Sequence, residues 1–449
     1  MTLHPKLPHG SLAQTYLDKH LHLWRDVCAL SPSLLARLCL GPRPAVLAPL
    51  SPSEGRGGGL SFVVKNRLLK FEILLMLHAV IMAGGFGTRF WPLSRTATPK
   101  QLLDFGGGRT MIQLALDRLA GLVPPERTLV ITNRQLVEPI RQQLPELPAA
   151  NIVGEPCKRD TAPCVGLAAH LVTAVDEDAT MLVMPADHLI EPVANFRSAM
   201  QQAHALVGEF PQRIVTFGIR PNFPAETFGY IECGQPLPVK QTGESPAFQV
   251  VRFREKPKRQ QAEEFLAAGT FFWNSGLFVW KARTILNALE SHEPAMAARL
   301  ASIGQAIGSP DYSDVLDKEF SAIVGKSVDY AVMEKHPEVA VIEAPFQWND
   351  VGSWQSLPRS LGSDADGNTI VGKHLGIRTT GSIVRTDGEH LVVTLGIKDC
   401  IVVHTPNSTL VASKHDEEAI REVVKPWDGD REPGPRQQVH RRQVPAPAA

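Results

Sequence analysis

The sequence predicts an α/β protein: a mostly parallel, Rossmann-like sheet with helices on both faces, followed by a small β-rich domain. Three observations carry this. From Leu77 onward, apolar runs of strand length alternate with runs of helical spacing. Two of the apolar runs end in a glycine cluster (Gly84, Gly85, Gly87) and an acid (Asp187), at strand ends where open α/β sheets bind ligands. After about residue 365 the helical spacing gives way to short β-rich runs separated by Gly, Asn and Asp.

The elements follow in order. Residues 1–75 include "LGPRPAVLAPLSPSEGRGGGLS", rich in Pro, Gly and Ser without sustained period, and read as a disordered extension. Met76 directly precedes the first strand, so it is a candidate translation start. "LHAVIMA" (77–83) is a strand. "TMIQLALDRLAGL" (110–122) has helical spacing, with Thr110 as N-cap and Gly121 near its end. "RTLVITN" is a strand, "RQLVEPIRQQL" a helix, and "NIVGEP" a short strand and loop. "TAPCVGLAAHLVTA" (161–174) is a helix with Pro163 in its first turn. "ATMLVMPADH" is a buried strand ending in Asp187, and "RIVTFGI" follows the next helix. The catalytic domain is expected over 76–360 and the β-rich domain over 365–427, its short strands stacked in a left-handed β-helix-like form. The Pro-rich, charged tail at 428–449 is expected to be disordered.

Bulk properties narrow the function. The chain has 449 residues, enough for more than one core. Lys+Arg and Asp+Glu balance at 46 each, so no global field recruits nucleic acid or an anionic membrane. No apolar run is long enough to span a bilayer. The six cysteines show no close metal-type spacing and fit a reducing cytoplasm.

The chemistry starts at "VIMAGGFGTRFWPLSRTATPKQLLDF" (80–105). Gly84, Gly85 and Gly87 leave backbone N–H groups free to line one concavity, and Thr88 follows them. Arg89 and Lys100 add the charge that a di- or triphosphate needs. A tight strand-to-helix turn would use the same glycines. The spacing is neither the dinucleotide fingerprint nor a P-loop, because no third glycine stands at the expected place and no Gly-Lys-Ser/Thr follows.

"AGGFGTRFWPLSRTATPKQ" closely resembles the signature of the sugar-1-phosphate nucleotidyltransferases, in the form found in mannose-1-phosphate guanylyltransferases (GDP-mannose pyrophosphorylases). "GEPCKRDTAPCVGLAA", "MPADH", "TFGYIE", "FREKP", "FWNSGLF", "DYAVMEK" and "WNDVGSW" follow in the family's order. The resemblance runs from about Leu77 to Trp427 and implies the nucleotidyltransferase fold.

It also implies roles. Asp187 and Asp350 resemble the ligands of Mg²⁺, a hard cation that takes carboxylates plus phosphate oxygens. Glu155 resembles the base reader, since a carboxylate accepts from the N1–H and N2–H₂ of guanine together. Arg159, Thr161 and Pro163 belong to the same nucleotide motif. Lys256 resembles the clamp on the sugar phosphate, with Glu255, Gly229, Tyr230 and Asn274 around the sugar. The family usually has Gly-Arg-Asn-Thr-Ala where this chain reads Lys158-Arg159-Asp160-Thr161-Ala162, so an anion replaces an amide beside the nucleotide.

The implied reaction joins GTP and mannose 1-phosphate into GDP-mannose and pyrophosphate, with Arg89, Lys100 and Lys256 as the catalytic cations. Other readings stay open at this point: a nucleotidyltransferase for another hexose 1-phosphate or base, a non-catalytic GDP-mannose sensor, and a dinucleotide oxidoreductase. No fused mannose-6-phosphate isomerase activity is expected, since the stretch after Trp427 has no clustered His/Glu metal set. A homodimer through the β-rich domain is expected from its unpaired strand edges.

Overall fold

Strand β1 (Leu77–Ala83) is apolar almost throughout because both of its faces are covered. Leu77, Ala79, Ile81 and Ala83 enter one core and Val80 the other, the period of two expected of a strand. The computed structural model describes residues 77–85, 87–238 and 244–424. The expected N-terminal extension, the Met76 start and the C-terminal tail lie outside the described residues.

Helix α1 (Met111–Leu119) begins at Thr110, whose backbone N–H donates to Gln113 Oε1 at 3.0 Å. Strand β2 (Thr128–Asn133), helix α2 (Val137–Gln143) and strand β3 (Ile152–Glu155) follow. Helix α3 (Thr161–Thr173) carries Pro163 in its first turn and leads to β4 (Thr180–Pro185). A short strand β5 (Leu189–Glu191), helix α4 (Val193–Glu209) and strand β6 (Ile214–Ile219) come next. Strands β7 (Tyr230–Pro236) and β8 (Ala247–Arg254), helix α5 (Arg259–Ala268) and strand β9 (Phe271–Lys281) build the second half. Helices α6 (Ala282–His292), α7 (Pro294–Ala306) and α8 (Tyr312–Ser321) precede β10 (Val339–Glu343) and β11 (Gln347–Asn349).

Nine of these strands form one sheet in the order β3-β2-β1-β4-β9-β6-β10-β8-β7. Pairings from β3 to β4 and between β6 and β10 are parallel; β9, β8 and β7 enter antiparallel. Ile112, Leu116, Phe196 and Met200 from α1 and α4 cover one face. Leu167, Ile285, Leu289 and Leu300 from α3, α6 and α7 cover the other. Strands β5 and β11 pair separately, Leu189 opposite Asn349, and so tie the segment after Asp187 to the segment before Asp350.

The C-terminal part stacks short parallel strands. β12 (Thr369–Val371), β14 (Ile383–Thr386) and β16 (Cys400–Thr405) form one sheet, closed by antiparallel β17 (Ser408–Ser413). β13 (His374–Ile377) and β15 (Val392–Leu395) form a second. A separate core joins this domain to the loop after β1: Phe90, Leu103 and Phe105 pack with Trp354, Ile383, Ile401 and Val403. The Phe90 ring meets Phe105 and Trp354 edge-on, at centroid distances of 4.8 and 5.2 Å. The glycine-rich loop is therefore held from behind by packed aromatics.

Candidate active site

The glycine-rich loop leaves β1 at Gly84 and turns through Gly87, whose φ of +59° is left-handed. A Cβ on Gly87 would stand 2.3 Å from Lys100 Cβ, so only glycine lets Lys100 come this close. Thr88 opens a short 3-10 turn, Thr88–Phe90. Lys100 is buried at the start of another, Lys100–Leu102. Its ammonium donates to Asp187 Oδ2 at 2.7 Å and to the carbonyl oxygen of Asp350 at 2.6 Å. Arg89 turns elsewhere on the same loop. Its Nη1 donates to Gly352 O at 3.2 Å, and its Nε lies 3.8 Å from Glu418.

The two acids shift in opposite directions. Burial pushes the Asp187 carboxyl up, but the charge of Lys100 and its hydrogen bond outweigh it and hold it below the usual value. Asp350 goes the other way: burial raises it, Lys100 opposes, and the nearby charge of Asp187 raises it further. A carboxylate pair short of positive charge suits a hard divalent cation. Among the described residues no three His, Cys, Asp or Glu gather as a metal cage, so a cation here would draw its remaining ligands from phosphate oxygens.

His188 and Trp348 brace this pair, and sequence reasoning assigned neither. Trp348 Nε1 donates to His188 Nδ1 at 3.2 Å, which leaves the imidazole proton on Nε2, 3.9 Å from Asp187 Oδ1. Burial holds this histidine neutral, with its pKa down to about 4. Buried Arg118 donates to His188 O at 2.5 Å.

Glu155 ends β3 beside the loop, its Oε2 3.9 Å from where a Gly84 Cβ would stand. Its Oε1 is buried without a partner. Burial pushes the carboxyl up to about 7, against a hydrogen bond from the Cys164 thiol. The rest of this motif faces protein. Thr161 Oγ1 accepts from Val328 N at 2.8 Å, Pro163 is buried in α3, and Arg159 Nη2 donates to Ser321 O. Asp160 has φ +67° and caps α3 by accepting from Thr161 N at 2.9 Å.

On the sugar side, Glu255 and Lys256 follow β8 and pair with each other. Lys256 is itself left-handed, at φ +46°. The Glu255 carboxylate lies over Gly229: a Cβ there would meet Glu255 Oε2 at 2.5 Å. Asn274 N donates to Gly229 O at 2.8 Å, and Asn274 Nδ2 donates to Asp329 Oδ1 at 3.0 Å. Tyr230 departs from the expected role, because its ring is wholly buried against Phe265. Strand alternation sends it into the core under α5, so it has only backbone to offer a ligand. A cavity lined by Arg254, Glu255, Lys256 and Lys258 opens beside this hairpin.

Neighbouring groups of the site are linked pair by pair. Gly84 adjoins Glu155, a Gly276 Cβ would stand 3.6 Å from His188, and the charges of Glu255, Lys256 and Asp160 all reach Asp329. Asp329, in "DYAVMEK", was visible as a motif residue but without a role.

The family model described as Nucleotidyl transferase matches residues 78–365, and the one described as MannoseP isomerase/GMP-like beta-helix domain matches residues 372–426. Mannose-1-phosphate guanylyltransferase of Escherichia coli is 36% identical over 353 residues, covering 78% of this chain and 74% of that one. Mannose-1-phosphate guanylyltransferase ManC of Salmonella typhimurium is 37% identical over 361 residues, covering 79% and 74%. A crystal structure described as mannose-1-phosphate geranyltransferase from Thermus thermophilus is similar with a TM-score of 0.69 at 32% identity, over 79% of this chain and 100% of that chain.

Proposed function

The chain belongs to the nucleotidyl transferase family, and from that premise we propose that it transfers GMP from GTP to α-D-mannose 1-phosphate, releasing pyrophosphate and forming GDP-mannose. The observation that carries the reaction class is Lys100, bound at once to Asp187 and to the Asp350 backbone at the mouth of the glycine-rich loop. The shared name of the relatives supports the substrate pair.

In this reading an oxygen of the sugar phosphate attacks the α-phosphorus in line with the departing pyrophosphate. One P–O bond forms as another breaks, and no protein nucleophile is needed because the attacking phosphate is already ionised. The work of the chain is to bring two anions together. Lys100 has phosphate oxygens as alternative partners to Asp187. Arg89 stands on the same loop, and Lys256 faces the sugar phosphate from the opposite wall. Glu155 reads the base edge, and Glu255 and Asn274 take the sugar hydroxyls. Asp187 and Asp350 would hold Mg²⁺, which supplies charge neutralisation at the phosphates.

A homodimer through the C-terminal domain is part of the proposal. It is supported by the exposed apolar row Leu375, Ile377, Val393 and Leu395 on the two-stranded sheet. No helix among the described residues is long and apolar enough to cross a membrane. The free thiols of Cys157, Cys164, Cys233 and Cys400 fit a cytoplasmic setting.

The test is pyrophosphate release from purified protein with Mg²⁺, with each NTP set against mannose 1-phosphate and glucose 1-phosphate. Release confined to GTP with mannose 1-phosphate is expected. Release with another pair moves the substrate and keeps the mechanism. No release with any pair, together with tight GDP-mannose binding, makes the chain a sensor.

A further inference from the structure

Asp329 opens a π-type turn, Asp329–Met333, a geometry that recurs at functional sites. The rest of the turn is anchored, since Ala331, Val332 and Met333 are buried in the core shared with α3 and α6. The chain just before it is sewn to the nucleotide loop: Ala162 N donates to Lys326 O at 3.0 Å, and Val328 N donates to Thr161 Oγ1 at 2.8 Å. On the 326–328 side these contacts use backbone only, and the Asp329 side chain turns to the other wall.

That wall is the sugar pocket. Each end of the Asn274 amide has a protein partner, and the second Nδ2 hydrogen is left for a ligand. Its Oδ1 accepts from Gly276 N at 3.1 Å, and its Nδ2 donates to Asp329 Oδ1 at 3.0 Å. A backbone N–H only donates, so Gly276 sets which end of the amide is oxygen, and Asp329 is the acceptor that holds the nitrogen end. Its charge also reaches Lys256.

We propose that Asp329 is a positioning residue of the sugar-phosphate pocket, orienting Asn274 and Lys256 toward the sugar 1-phosphate; this rests on the reaction proposed above. The environment supports the assignment. Burial pushes the Asp329 carboxyl up to about 7, the charges of Glu255 and Asp160 add to this, and Lys256 opposes it. An acid kept among like charges costs stability, which is the pattern of a functional site.

The experiment compares the full chain with Asp329→Asn, Asp329→Ala, Asn274→Asp and the double variant Asn274→Asp/Asp329→Asn. KM for mannose 1-phosphate, KM for GTP, kcat and the melting temperature are measured for each. Asp329→Asn is expected to raise KM for mannose 1-phosphate about tenfold or more, because it removes the charge that assists the Asn274 hydrogen bond and faces Lys256, with KM for GTP within about twofold. Asp329→Ala should do at least as much. The double variant reverses donor and acceptor across the same pair, and should recover sugar KM relative to either single change. A sugar KM within about twofold of wild type in folded Asp329→Asn overturns the proposal. So does a parallel rise of both KM values with a lowered melting temperature, which marks a purely structural role. A wild type that turns over no sugar 1-phosphate sinks the parent reading instead. Calorimetric binding of mannose 1-phosphate then decides: equal affinity of wild type and Asp329→Asn, or no binding to either, overturns this inference.

Discussion

Lys100 donates to Asp187 Oδ2 at 2.7 Å across 87 residues of sequence. One side chain from the segment after β1 thus pairs with the acid after β4, and the same ammonium also donates to the Asp350 backbone. Lys100→Ala and Lys256→Ala should each lower turnover by roughly 10²–10³. Their stabilities should differ. Lys100 is 6% exposed, and its loss leaves Asp187 unpaired. Asp187 is 34% exposed, so the destabilisation should stay below the ~3–5 kcal/mol of a fully buried pair. Lys256 is 62% exposed, and its loss should leave the melting temperature near wild type. Near-normal turnover in either variant discards the role given to that lysine.

Gly87→Ala should behave as an indirect Lys100 variant. Its φ is +59°, and the added Cβ would stand 3.0 Å from Lys100 N as well as against Lys100 Cβ. We expect destabilisation of more than ~1 kcal/mol and a marked loss of turnover. Gly107→Ala, where a Cβ meets nothing within 4 Å, is the control for denaturant melts.

Glu155→Gln should raise KM for GTP about tenfold or more, because an amide cannot accept from both guanine donors. The acid also has a stability signature. Burial raises its folded pKa from 4.5 to about 7. The folded state then binds more protons, so this contribution is full below pH 4.5 and is lost as pH rises through about 7. Denaturant unfolding across that window should show the slope in wild type and a flatter one in Glu155→Gln. Identical slopes would mean that Glu155 does not titrate there.

Chelation should abolish pyrophosphate release, and added Mg²⁺ should restore it. Asp350→Asn should raise the Mg²⁺ concentration needed for half-maximal activity at intact fold. Full activity in EDTA would remove both acids from the metal assignment.

Leu375→Glu with Val393→Glu should convert a dimer to a monomer in analytical ultracentrifugation while leaving the unfolding of the large sheet unchanged. A monomeric wild type would set the homodimer aside.

The local signals proved readable. Thr110 as a helix start, Pro163 in a first turn and the apolar run of β1 each depend on a few consecutive residues, and each appears where the periodicity places it. The pocket was legible only as a set of motifs. Tyr230 sits in a sugar-side motif, yet the pleat of β7 turns its ring under α5. Arg159 sits in a nucleotide motif, yet its guanidinium is held at Ser321, 162 residues away. What each side chain meets, α5 for Tyr230 and Ser321 for Arg159, is set by distant segments.

By itself the sequence determined which chemistry is available: glycines that free backbone N–H groups, cations after them, and acids at strand ends, all encoded by residue type and short spacing. The tertiary structure alone decided which groups meet. Lys100 with Asp187 and the Asp350 backbone, Trp348 with His188, and Asn274 with Asp329 are contacts between distant segments, set by sheet order and by the β5–β11 pairing. The same packing decided charge: burial pushes all three acids up, and the contact with Lys100 carries Asp187 below its usual value while Asp350 and Glu155 stay raised, and neither burial nor that contact belongs to any one stretch of the chain.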